Sequence, residues 1–81
     1  MTRDEVHQSL TEVFRDVFDA PALVVSDATT AKEVDGWDSL NHINVIVAAE
    51  KKFKVKFTTR EVNGLANVGE FVSLVVKKLG P

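Results

Sequence analysis

Apolar residues recur at helical spacing through residues 6–18 of the chain. Steps of four, three and one positions place them on one side of an amphipathic helix: Val6, Leu10, Val13, Phe14, Val17 and Phe18. Thr2 followed by Glu5 has the form of a capping box, so we expect the helix to begin near Arg3. Because Pro21 disfavours helical backbone at the residue before it, the helix should end by Asp19.

A second helical run follows residue 38, and it has more apolar residues than one face can bury. We expect it to begin at Ser39 with Asp38 as the N-cap, since a carboxylate can accept free backbone N–H groups of the first turn. One stripe can face the core: Ile46, Ala49 and Phe53. A second stripe is not needed there: Leu40, Ile43 and Val47. This stripe predicts an exposed binding face, and a helix buried on most sides is the alternative.

Two segments lack helical periodicity. The long loop over residues 20–38 should be pinned to the core by three apolar anchors: Leu23, Val24 and Val34. Trp37 is interpreted as a wedge that holds this loop on the bundle, and a partner contact is the alternative. The segment KKFKVKF, residues 51–57, alternates like a strand, but no second strand is available to pair with it. We therefore predict a helix end and an extended loop, with Phe53, Val55 and Phe57 pointing inward.

The remaining residues predict two more helices. Thr58 with Glu61 indicates a capping box and a short helix ending at Gly64, and Asn67 with Glu70 repeats that pattern. The last helix has one apolar face: Val68, Phe71, Val72, Val75, Val76 and Leu79. The predicted fold class is all-α, a small four-helix bundle of three longer helices and one short helix with a long first loop, forming a single domain over residues 1–81.

Composition and charge narrow the possible functions. The chain has 44% hydrophobic residues and no cysteine, so it should fold, and it has neither a disulfide nor a thiolate of its own. Residues 1–50 carry ten acids against three bases, a net −7, and residues 51–81 carry seven bases against two acids, a net +5. We expect the acidic part to repel nucleic acid and attract basic partners. We find no secretory signal and no apolar run near the roughly 20 residues of a membrane span, and we expect a cytoplasmic monomer.

Ser39 is the candidate for chemistry, and the residue pattern leaves several interpretations open. Ser39, His42 and either Asp35 or Asp38 supply the residue types of a hydrolase triad. However, the sequence around Ser39 is GWDSL, not the G-x-S-x-G elbow, and we expect His42 to be solvated or to face a partner. The other interpretation is structural, with Ser39 as a helix-start residue of an interaction module that is not modified.

Asp-Ser-Leu at the start of a helix, after an acidic loop with Gly36 and before AAEKKF at residues 48–53, resembles the acyl carrier protein family along essentially the whole chain. The resemblance implies that Ser39 receives 4′-phosphopantetheine from coenzyme A through a separate magnesium-dependent phosphopantetheinyl transferase. It implies that Asp38 is recognised by that transferase, and that an exposed stripe contacts partner enzymes: Leu40, Ile43 and Val47. The protein would then be a carrier and not an enzyme.

The resemblance also has departures that bear on the partners, which would be acyl-activating, synthase or acyltransferase enzymes. Bacterial fatty-acid carriers have a strongly acidic second helix, whereas here only Asp35, Asp38 and Glu50 remain for electrostatic docking. GWDSLNHI is more similar to stand-alone carriers of polyketide, secondary-metabolite or specialised acyl pathways. An aminoacyl or peptidyl carrier is the alternative within the family.

Overall fold

The computed structural model describes residues 2–30, 32–34 and 36–80. They form four helices: α1 (Arg3–Val17), α2 (Ser39–Phe53), α3 (Thr59–Asn63) and α4 (Val68–Leu79). The described ranges contain no strand, so the predicted all-α class and the order of three longer helices and one short helix are confirmed. Within these same ranges, no helix has both the length and the apolar character needed to cross a membrane.

The helix starts follow the capping signals of the sequence. At α1, the Thr2 hydroxyl accepts the Glu5 backbone N–H at 3.2 Å, and the Glu5 carboxylate accepts the Thr2 N–H at 2.8 Å. Thr58 and Glu61 form the same reciprocal pair at α3. At α4 the Asn67 side chain caps the Glu70 N–H, but the Glu70 carboxylate accepts the N–H of residue 66 instead of that of Asn67. All three predicted helix starts are therefore confirmed. The one difference is at α4, where the Glu70 side chain does not return a hydrogen bond to the Asn67 N–H.

The core lies where α1 packs against α2 and α4. Its helical members agree with the predicted stripes, with the addition of Val45: Val6, Leu10, Val13, Phe14, Val45, Ile46, Ala49, Phe53, Val68, Phe71, Val72 and Val75. Phe71 receives two aromatic rings in edge-to-face geometry, from Phe14 at 6.4 Å and from Phe57 at 5.8 Å between centroids. Phe57 and Val55 are half-buried against this core, which confirms the inward orientation predicted for KKFKVKF.

The long loop between α1 and α2 is anchored differently from the prediction. Val34 is buried and Leu23 packs partly against the core, as expected, but Val24 is 77% exposed and Val25 is buried in its place. The prediction for Val24 was wrong because two adjacent valines carry no periodicity that would say which of them turns inward. The loop also joins α4, since the carbonyl of Thr29 accepts the Val68 N–H at 2.9 Å.

Candidate functional site

Ser39 is the first residue of α2, and Asp38 is its N-cap as predicted. The Asp38 carboxylate accepts the Asn41 backbone N–H at 2.8 Å, and the Asp38 carbonyl accepts the His42 N–H at 2.8 Å. Ser39 is exposed, and its hydroxyl makes no hydrogen bond to any other residue that the structure describes. The first turn of α2 therefore presents, at the positive end of the helix dipole, a hydroxyl without a partner among the described residues.

The turn before Ser39 is held by its backbone. Gly36 has φ of 86°, in the left-handed region that favours glycine. Its carbonyl accepts two hydrogen bonds, from the Asn41 side-chain amide at 2.7 Å and from the Asp38 N–H at 2.9 Å. These bonds fix the entry of the chain into α2. Asp35, which we predicted to take part in recognition, lies outside the described residues.

Trp37 connects this turn to the core. Its ring packs edge-to-face on Phe14 at 5.0 Å and lies 6.4 Å from the ring of Phe18. The indole N–H donates to Nδ1 of His42 at 3.0 Å. The interpretation of Trp37 as a wedge is confirmed, because the side chain is partly buried between the loop and the bundle.

His42 is engaged at both ring nitrogens. Because the Trp37 indole N–H can only donate, Nδ1 of His42 must be the acceptor of their hydrogen bond. The N–H of the His42 ring is then at Nε2. Nε2 lies 3.3 Å from the carbonyl of Val62 and donates to it. His42 is half-buried and links α2 to α3, so the prediction of a solvated side chain was wrong, whereas a partner-facing side chain stays a prediction. Neither nitrogen is left to act as a base toward Ser39, so Ser39 and His42 do not form a hydrolase triad.

A surface groove of about 510 Å³ lies beside Ser39. One wall of the groove is the first turn of α2, and the other is α3 together with the turn that follows α3. The lining contains both polar and apolar side chains: Trp37, Asp38, Ser39, His42, Ile43, Val62, Asn63, Leu65 and Ala66. Its shape depends on the position of α3. Glu61 helps to hold that helix, because its carboxylate bonds the Lys78 ammonium at 2.8 Å. This hydrogen bond, with that from the Thr58 backbone, lowers the pKa of Glu61 below its ordinary value.

Comparison with known proteins identifies the family. The sequence model of the family described as "Phosphopantetheine attachment site" matches residues 8–75. The chain belongs to the acyl carrier protein family. An acyl carrier protein of Acidothermus cellulolyticus is 31% identical over 75 residues, which cover 93% of this chain and 89% of the relative. The solution NMR structure of the holo acyl carrier protein from Geobacter metallireducens matches with a TM-score of 0.86 and 44% identity, covering 91% of this chain and 85% of the other.

The prosthetic group of this acyl carrier protein is 4′-phosphopantetheine, and the residues around Ser39 fit such a group. The exposed hydroxyl can form a phosphodiester, and the backbone N–H groups of Ser39 and Leu40 have no acceptor among the described residues. A phosphate at this point would meet these donors and the positive end of the α2 dipole. The groove provides adjacent space for an extended arm. Acyl carrier proteins interact with phosphopantetheinyl transferases and acyl-handling enzymes, and are generally without catalytic activity of their own.

The predicted second stripe of α2 is exposed. Leu40 is 68% accessible, Ile43 57% and Val47 43%, although each belongs to a residue type that is commonly buried. The alternative of a helix buried on most sides is therefore wrong. Glu50, which we also predicted to face partners, is half-buried, and its carboxylate accepts the Phe57 backbone N–H at 2.9 Å. No local pattern predicts this bond, because it depends on how the chain leaves α2.

Proposed function

We propose that Ser39 carries the 4′-phosphopantetheine arm, and that the protein holds acyl groups on the arm thiol as thioesters and delivers them to partner enzymes. The observation that supports this most strongly is the exposed hydroxyl of Ser39 at the first residue of α2, which bonds no other residue in the described ranges. The other serines lack this combination. Ser73 accepts from the Arg3 guanidinium at 2.8 Å, Ser26 bonds Thr29, and Ser9 is half-buried within α1.

The proposed loading step is a phosphoryl-type transfer performed by a separate transferase. The Ser39 hydroxyl oxygen forms a new bond to the phosphorus next to pantetheine in coenzyme A. The bond from that phosphorus to the bridging oxygen breaks, and adenosine 3′,5′-bisphosphate leaves. The hydroxyl proton passes to a base of the transferase. In this proposal Asp38 is recognised by the transferase, and Leu40 and Ile43, which follow Ser39 on the exposed side of α2, form part of the docking surface.

The arm would supply the one functional group that the chain lacks. The sequence has no cysteine, so it has no thiol of its own to form a thioester. A tethered thioester is presented to each docked enzyme at a high effective concentration, because binding of the carrier makes the subsequent reaction intramolecular. The carrier itself would then make and break no bonds in the acyl group.

We further propose that the carrier serves a polyketide, secondary-metabolite or other specialised acyl pathway. The first turn of α2 has no acidic residue and its last turn has Lys51 and Lys52, which supports a role distinct from carriers with a strongly acidic second helix. An aminoacyl or peptidyl load is the alternative. Restoration of fatty-acid synthesis at full efficiency in a carrier-depleted extract would contradict the specialised role. The cytoplasmic location expected from the sequence stays a prediction.

Intact-mass spectrometry tests the attachment. The purified chain is incubated with coenzyme A, magnesium and a broad-specificity phosphopantetheinyl transferase. We expect one phosphopantetheine on the wild type, none on Ser39→Ala, and one on Ser26→Ala, which removes another exposed hydroxyl. A folded wild-type chain that gains no mass would contradict the proposal and would favour an unmodified interaction module.

A further inference from the structure

The exposed face of α2 changes character along its length. Residues 40, 43, 47 and 51 are three or four positions apart, so they lie on one side of the helix. The first three are the exposed apolar stripe described above. The fourth is Lys51, which is exposed and has no ion pair among the described residues. A partner that covers the stripe therefore also meets Lys51.

The other charged side chains of α2 are engaged within the chain. Lys52 bonds the Glu12 carboxylate of α1 at 2.9 Å, and this hydrogen bond lowers the pKa of Glu12. Glu50, the single acid of α2, is half-buried and bonds the Phe57 backbone N–H. Engagement of Glu50 leaves Lys51 as the charge that α2 presents beside its apolar stripe without an ion pair in the described part of the chain.

Two further lysines extend this charge beyond the helix end. Lys54 and Lys56 are both exposed, and neither has an ion pair within the described ranges. Lys54 is the C-cap of α2 with φ of 57°, a left-handed position that glycine or asparagine normally occupies. The requirements of the turn therefore do not explain a lysine there. We call Lys51, Lys54 and Lys56 the basic end of α2.

We propose that the partner enzymes of this carrier present acidic side chains to the basic end of α2, next to an apolar recess that receives the exposed stripe. This inference rests on the proposed function, since the partners are the enzymes that act on the arm at Ser39. A protein surface fits better than RNA or an anionic membrane, because the net −7 of residues 1–50 would repel a uniformly negative partner. Burial of the apolar stripe gives affinity, and the adjacent charges give partner selection.

The test uses one defined probe in two forms. The probe is a cysteine-dependent condensing enzyme with a basic rim around its active-site entrance, together with a variant whose rim lysines and arginines are replaced by glutamate. The carrier is loaded with an arm that ends in a thiol-reactive electrophile, and the rate of cross-linking to the active-site cysteine is measured. We expect the wild-type carrier to react at least about tenfold faster with the acidic form, and added salt to reduce the difference.

Carrier variants assign the preference to the basic end. Lys51→Glu/Lys54→Glu should reverse it, and Lys51→Gln/Lys54→Gln/Lys56→Gln, which removes all three charges of the basic end without adding an acid, should abolish it. Lys77→Glu reverses a single lysine charge at an exposed position of α4 and should leave the preference intact. Helical circular dichroism and a thermal melt verify that each variant folds.

Several outcomes would overturn the inference. Equal rates with the two enzyme forms, or faster reaction of the wild type with the basic form, would show that the basic end does not select an acidic surface. Flotation with phosphatidylglycerol vesicles that depends on Lys51 and Lys54, without an enzyme preference, would assign the surface to lipid instead. Failure of the proposed function is distinguishable, because intact mass would then show no arm on Ser39 before any enzyme is added.

Discussion

At the scale of single residues, Asp38 combines a structural role with a proposed recognition role. Its carboxylate caps α2 through the Asn41 N–H, which fixes where the helix begins and therefore where Ser39 lies. The same carboxylate is exposed beside Ser39, where a transferase could contact it. The two roles differ in what they require, since a cap needs an acceptor oxygen whereas charge recognition needs an anion.

Substitutions at Asp38 separate these roles. Asp38→Asn keeps an acceptor oxygen, so its free energy of unfolding should stay within about 0.5 kcal/mol of the wild type, whereas Asp38→Ala should lose about 1 kcal/mol. If the charge is recognised, both variants should be loaded more slowly by the transferase. Urea denaturation and a loading time course measure the two effects. Loading of Asp38→Asn at the wild-type rate would exclude recognition of the charge.

Residues whose roles depend on distant neighbours were harder to predict from the sequence. The capping role of Asp38 is local and could be inferred from its position before an apolar-periodic run. His42 could not be placed in this way, because its environment is made by Trp37 in the preceding loop and by Val62 in another helix. The hydrogen bond that the Phe57 N–H donates to the Glu50 carboxylate likewise requires the conformation of the turn at Lys54.

At the scale of helices, α3 is the element that depends most on its neighbours. It has only 5 residues, too few for a helix to be stable alone. Its attachments are the capping box at Thr58, the bond that the Lys78 ammonium of α4 donates to Glu61, and the bond that His42 donates to the Val62 carbonyl. Because Val62 and Asn63 line the groove beside Ser39, these attachments also determine the shape of the groove.

The attachment through Glu61 predicts a dependence on pH. The Lys78 hydrogen bond is the largest cause of the lowered pKa of Glu61, followed by the Thr58 backbone bond. The stabilisation is therefore present above the ordinary pKa of 4.5 and is lost as the pH falls through the lowered value. We expect the backbone chemical shifts of α3 to move toward random coil over that range.

Two variants make the test specific. Glu61→Gln should show weakened α3 shifts already at neutral pH, with little further change on acidification. Glu12→Gln removes a different carboxylate of lowered pKa, on α1, and should leave the acid response of α3 unchanged. Native α3 shifts in Glu61→Gln at neutral pH would contradict this account of how α3 is held.

The contact between the long loop and α4 predicts the effect of a substitution at Gly69. A Cβ at this residue would lie 2.9 Å from both the Cβ and the carbonyl oxygen of Asp27, so the loop or the helix must shift. We expect Gly69→Ala to lose about 1–3 kcal/mol in urea denaturation. Gly64→Ala is the matched control, because its nearest contact would be an ordinary 3.5 Å. Equal stability of the two variants would contradict the close approach.

Helix boundaries were more predictable than the loop for a physical reason. Capping boxes and apolar periodicity act within a few residues, so the starts of all four helices could be inferred from the sequence. The loop is fixed instead by contacts with residues far along the chain, such as the bond from Gly69 to the Asp27 carbonyl. For this reason the apolar pattern predicts Val24 as an anchor, whereas Val25 fills that position in the structure.

At the scale of the whole molecule, a buried leucine and an exposed leucine should affect different properties, stability in the first case and partner binding in the second. Leu10 is fully buried in the core, whereas Leu40 is 68% exposed beside Ser39. Leu10→Ala should therefore lose about 2–5 kcal/mol of stability, while Leu40→Ala should change stability by less than about 0.5 kcal/mol. Leu40→Ala should instead slow loading by the transferase. Thermal melts and loading rates of the two variants, compared side by side, provide the check.

A loss of stability in Leu40→Ala comparable to that in Leu10→Ala would mean that Leu40 belongs to the core and not to a docking surface. Wild-type loading of a stable Leu40→Ala protein would remove Leu40 from the proposed transferase contact. Neither result would affect the assignment of the core itself, which depends on the buried residues of α1, α2 and α4.

The central claim, that Ser39 holds the arm and its thiol, can be tested by counting thiols. The chain has no cysteine, so the unloaded protein should give no reaction with a thiol reagent under denaturing conditions. After treatment with coenzyme A, magnesium and a phosphopantetheinyl transferase, followed by removal of free coenzyme A, we predict one thiol per chain for the wild type and none for Ser39→Ala. A treated wild-type chain without a thiol, or a Ser39→Ala chain with one, would contradict the claim.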